Sequence, residues 1–144
     1  MGQPRLSLLV GLITLAMPFA TSAADGGTTP APEGASLYFI APLDGETVSS
    51  PVRVVFGLKG MGVAPAGVEE ENTGHHHLIV DAPLPPLDEA IPKDDQHHHF
   101  GGGQTETTLE LQPGAHTLQL LLGDHNHIPH ARAVMSPAIT ITVK

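Results

Sequence analysis

Over residues 138–143 the chain reads AITITV, so in an extended strand Ile139, Ile141 and Val143 fall on one face and Thr140 and Thr142 on the other. A strand patterned this way needs a core on one side and water on the other. Comparable β-type runs occur at residues 36–40, 52–58, 75–82, 105–111 and 115–122, divided by turn sequences such as PLDGETVSSP and Gln112-Pro113-Gly114. No segment carries a sustained helical period. Six or seven short strands at this spacing predict an all-β fold, an antiparallel two-sheet sandwich with immunoglobulin-like connections, with a small β-barrel as the alternative.

The first 24 residues stand apart. Arg5 gives a positive start, residues 6–20 are almost wholly apolar, and Ser22-Ala23-Ala24 offers small residues for cleavage, the layout of a secretory signal. The apolar run is short for a membrane span, which needs about 20 residues. No cysteine follows that could carry a lipid. The expected product is a periplasmic or secreted chain with no stable membrane insertion after cleavage. Residues 25–35, DGGTTPAPEGA, read as a flexible leader, and residues 36–144 as a single domain.

Charge narrows the partners. The chain carries −9 with histidine neutral, and setting Arg5 aside makes the remainder one unit more negative. Nucleic acid and anionic lipid both call for a basic face, so neither is expected. A cation suits this balance. The chain contains no cysteine, which leaves the fold without disulfides and any metal without thiolate. With no Trp and one Tyr, stacking platforms for bases or sugars are scarce.

All ten histidines fall between His75 and His130. They form the triplets His75-His76-His77 and His97-His98-His99, the single His116, and the group His125, His127 and His130. In a strand, residues two apart share a face about 7 Å apart at Cα, so an H-x-H pair can aim two imidazoles at one ion. Three or four neutral imidazoles complete a coordination shell for zinc or copper. The candidate ligands are therefore His75, His77, His97, His99, His125, His127 and His130. His116 shares a face with Leu118, Leu120 and Leu122, and His76 with Leu78 and Val80, so both read as structural.

Several neighbours could support such a site. Asp81 shares the strand face of His75 and His77, and Asp124 precedes His125, placed either to steady an imidazole or to cap a turn. Gly101-Gly102-Gly103 permits close backbone approach, while Glu69-Glu70-Glu71 reads as a solvated acidic loop. Two long connections, residues 60–74 and 83–96, are where a rigid sandwich would carry binding residues.

GHHHLIVD at residues 74–81, HFGGGQTETTLEL at 99–111, PGAHTLQLLLGDHNHIPH at 113–130 and the opening stretch at 41–67 together resemble a bacterial family of exported domains of unknown function. The resemblance covers nearly all of the chain beyond the leader. It implies a compact periplasmic β-domain with a His-rich site, carried here by His75, His77, His99, His125, His127 and His130, and it supplies no reaction.

The expected function is that of a periplasmic copper- or zinc-binding protein, a buffer, carrier or sensor component working with a periplasmic metal-handling protein. Copper(II) leads because nitrogen-rich sites hold it most tightly among divalent ions. A copper or zinc metalloenzyme is one alternative, and a metal-free interaction module with pH-responsive histidines is another. No nucleophile motif or phosphate-cradling loop is apparent, and an open coordination position is what would separate an enzyme, the less expected outcome, from a binder. Imidazole ligation predicts an affinity that collapses as pH falls through the histidine range near 6.5.

Overall fold

The computed structural model describes Gly2 and residues 27–144, so the expected signal and the first residues of the leader lie outside the described residues. The described residues contain nine strands and no helix: β1 (Ser36–Ala41), β2 (Thr47–Val48), β3 (Val52–Lys59), β4 (Gly62–Val63), β5 (Thr73–Val80), β6 (His97–His99), β7 (Glu106–Leu109), β8 (Gly114–Gly123) and β9 (Ile139–Val143). Strands β1, β3 and β7 make one sheet in that order. The second runs β2-β9-β8-β5-β4, with β6 also paired to β5. Apart from two short parallel pairings, β2 with β9 and β4 with β5, the ladders are antiparallel. The sheets stay separate and do not close, so the fold is the immunoglobulin-like sandwich and the barrel alternative does not hold.

Alternation builds the core. Leu78 and Val80 of β5, Leu118, Leu120 and Leu122 of β8, and Ile139, Ile141 and Val143 of β9 face Leu37, Val52, Val54 and Phe56 of the opposite sheet. At about 25 cal/mol per Å² of apolar surface removed from water, these side chains are the main stabilising term in a chain without disulfides. His76 lies on this inner face, its ring centroid 5.1 Å from that of Phe56, and is 1% exposed.

The second sheet is also covered on its outer face. Ile79 and Leu121 meet Ile91 there, with Ala82, Leu84 and Met135 alongside. The cover comes from the proline-rich connection after β5 and from the segment after β8, which folds back so that Met135 bridges Leu121 and Pro129 bridges Gly123. Strand β5 is thereby buried on both faces, and its odd-numbered residues point into the space beneath the loops. The end of the expected leader is tied down: Ala131 N donates to Thr29 O, and the Thr29 hydroxyl reaches Asp124 Oδ2.

Candidate metal centre

Strand periodicity sends His75 and His77 to the same outer face as Ile79. Both are 0% exposed. In the β5–β6 ladder His77 stands directly opposite His99, so the two imidazoles share a face and their centroids lie 5.1 Å apart. His75 completes the group at 4.8 Å from His77 and 5.0 Å from His99. One donor atom from each of the three lies within 4.8 Å of the other two.

A fourth ring arrives from a turn. Asp124 Oδ1 accepts from Asn126 N and Ile128 N, and Asp124 O accepts from His127 N, closing a tight turn in which His127 has φ 68°. That left-handed backbone costs a non-glycine residue about 1–3 kcal/mol and is held here by the capped turn and by Ile91 N donating to His127 O. It swings the His127 ring to 5.0 Å from His75, 4.8 Å from His99 and 6.2 Å from His77. Asp124 thus acts by capping, and Asp81, turned aside at φ 53°, binds His116 Nδ1 at 2.6 Å.

Two glycines make the space. A Cβ on Gly123 would stand 2.7 Å from His77 Cε1, and one on Gly101 would stand 2.3 Å from His99 Cε1. A glycine inside a strand run such as LQLLLG is a sequence signal for close approach, and this one clears room for an imidazole.

The buried rings lack partners. Both nitrogens of His75 and of His77, and Nε2 of His99, are buried with no hydrogen bond. Burial holds the His75 imidazole down to about 4, with the neighbouring His127 and His99 adding to it, and takes His77 down to about 3. Desolvation and His127 also lower His99. These groups are therefore neutral lone-pair donors at neutral pH, the form in which imidazole binds metal. For these two buried rings, protonation that would ordinarily occur near 6.5 is held down to about 4 at His75 and about 3 at His77.

The remaining candidates lie elsewhere. His97 sits opposite Ile79, two residues further along β5, and its Nδ1 is taken by Asp94 Oδ1 at 2.8 Å. His125 Nε2 contacts Asn126 Nδ2 at 2.8 Å, and His130 Nε2 donates to Thr73 O at 3.2 Å. His125 and His130 line a cavity of about 220 Å³ with the acidic Glu69-Glu70-Glu71 loop, and none of the four clustered histidines lines it. His97, His125 and His130 are thus not brought to the cluster. His97 runs out of register with it, and the turn at residues 124–128 breaks the alternation that would have aligned His125 with His127.

An ion about 2.0–2.1 Å from each nitrogen, with the ring centre roughly 1.1 Å beyond, places tetrahedral neighbours about 5.2 Å apart, centroid to centroid. A square-planar ion asks for four spacings near about 4.5 Å and two near about 6.4 Å. Five of the six spacings here lie between 4.8 and 5.1 Å and one is 6.2 Å, closer to the tetrahedral pattern. Donor atoms on such an ion would stand about 3.3 Å apart, closer than the 4.8 Å limit within which those of His75, His77 and His99 are gathered.

A family model described as a domain of unknown function, DUF4399, matches residues 54–144, the stretch that holds every histidine. No curated protein matches the chain. Among solved structures, the endo-beta-1,4-mannanase from Thermotoga petrophila is similar at 18% identity with a TM-score of 0.46, over 76% of this chain and 20% of that one. The chain thus spans about a fifth of that protein's length.

Proposed function

The chain belongs to the DUF4399 family, a domain of unknown function, and we propose that it binds one divalent transition-metal ion, zinc or copper, between His75, His77, His99 and His127. The observation that carries this is a group of four imidazoles from three chain segments, of which His75 and His77 bury both nitrogens without a hydrogen bond. Leaving a buried polar atom unpaired costs about 1–3 kcal/mol. Coordination supplies the missing partner, and the low proton affinity of these rings suits it.

The near-equal ring spacings support zinc, which takes four ligands tetrahedrally, over the copper(II) that affinity order alone would favour. Four imidazoles fill a tetrahedral shell and leave no position for substrate. That supports a binder, a buffer or carrier in an exported setting, over an enzyme. A metalloenzyme has one observation in its favour: the three donors gathered within 4.8 Å belong to His75, His77 and His99, which leaves a fourth position if His127 turns away. Calorimetric titration of the tag-free chain with zinc(II) and copper(II) tests the proposal. One saturable site per chain, lost in His75→Ala/His77→Ala, is the expected result. Weak many-site binding that survives the double variant would overturn it.

A further inference from the structure

The four histidines are not equivalent. His75 and His77 come from β5, which is paired on both sides by β8 and β6, and they are 0% exposed. His99 ends the three-residue strand β6, His127 sits in a turn, and both residues are only partly buried. The cluster therefore has a closed floor of two imidazoles on the most enclosed strand and an outer edge of two partly exposed residues, of which His99 keeps its Nε2 buried. The edge is held in place: Ala66 N donates to Gly101 O and Gly67 N to His125 O, so the segment around Pro65 ties together the loops that carry His99 and His127.

Resting on the metal-binding reading above, we propose that the ion is cargo passed on by associative ligand exchange across the His99/His127 edge, to an acceptor presenting its own imidazole or other nitrogen donors. An incoming lone pair bonds to the ion as the His127 or His99 nitrogen leaves. A second donor displaces the other edge imidazole, and the His75–His77 pair releases last. Each step trades one metal–nitrogen bond for another, with no change of oxidation state and no net proton transfer when all donors are neutral. A site enclosed on every side would instead have to lose its ion unaided before any acceptor could take it.

The test uses the full chain loaded with zinc(II) or copper(II) and mixed in a stopped-flow instrument with excess 4-(2-pyridylazo)resorcinol, whose colour reports capture. The observed rate is expected to rise in proportion to chelator concentration without a plateau. His127→Ala, which opens the edge further, should steepen that slope by roughly tenfold, from the loss of about 1.4 kcal/mol of barrier. A rate that saturates at a value independent of chelator, in both the wild type and His127→Ala, would show unaided release and overturn the exchange route while leaving metal binding intact. Failure to load any ion at the start would instead remove the binding reading on which the route rests. His125→Ala, a neighbouring histidine off the cluster, should leave the slope within about twofold, and an equal acceleration there would point to general loosening and count against the edge.

Discussion

Gly123 of β8 lies against His77 of β5 so closely that a single methyl group would stand 2.7 Å from His77 Cε1 and 3.3 Å from the carbonyl carbon of His127. The strand can pass the imidazole only because this position has no side chain. Gly123→Ala is expected to push the His77 ring and the His127 backbone outward, weakening metal binding by at least tenfold and costing about 1–3 kcal/mol of stability from overpacking. Calorimetry and thermal unfolding measure the two effects. Unchanged affinity with an unchanged melting temperature would mean that Gly123 does not shape the site.

Position within the cluster separates histidines that look alike in sequence. His99→Ala and His127→Ala should each weaken zinc(II) binding by more than about 100-fold, since even the outer partners of metal ligands are worth 10–100-fold. His97→Ala and His125→Ala should change it by less than about threefold, because His97 is engaged by Asp94 and His125 faces the acidic cavity. Competition titration against a chelator of known affinity reads the difference, and equal losses in all four variants would contradict the geometry.

The turn that delivers His127 depends on the Asp124 carboxylate. Oδ1 accepts two backbone N–H groups and Oδ2 accepts the Thr29 hydroxyl, in a residue 3% exposed. Asp124→Ala should lower stability by about 2 kcal/mol, in the range for losing a buried cap, and weaken metal binding by about tenfold through disorder of the turn. Loss of stability with metal binding untouched would show that His127 is not held by this cap.

Burial also gives the metal-free chain a pH dependence whose sign can be worked out. In the unfolded chain each histidine titrates near 6.5, whereas in the fold burial holds His75 and His76 at about 4 and His77 at about 3, and lowers His99 and His130. The unfolded state therefore binds more protons below 6.5, and stability, full above that pH, falls as pH drops toward about 4. His116, raised mainly by Asp81, acts in the opposite sense, and one group does not offset five. The melting temperature should be clearly lower at pH 5 than at pH 7.5, and zinc(II), which competes with protons for the imidazoles, should leave the gap as wide or widen it. A metal-free chain equally stable at both would contradict the buried neutral imidazoles.

Much of this was legible in the sequence. Alternation in AITITV and in HHHLIV defined strands, core faces and the convergence of His75 with His77, because a period of two is a property of one strand alone. The opposition of His77 and His99 depends on ladder register between segments joined by a long loop, which no local pattern encodes. His97 fails for the same reason: it shares the face of His99 but meets Ile79. In GDHNHIPH the spacing suggested a strand pair, but Asp124 captures the backbone into a turn, so His127 reaches the cluster through a positive φ while His125 turns to the cavity. The orphaned nitrogens follow from burial by two loops and had no sequence signature beyond the glycines.

The central claim is that four imidazoles share one ion, and the most direct measurement is X-ray absorption at the metal edge of the tag-free chain loaded with one equivalent of zinc(II). The account predicts a shell of four nitrogen donors at about 2.0–2.1 Å with the multiple scattering of imidazole rings, reduced to three imidazoles in His127→Ala. A shell dominated by carboxylate and water oxygens, or an imidazole count unchanged in both His127→Ala and His99→Ala, would contradict it.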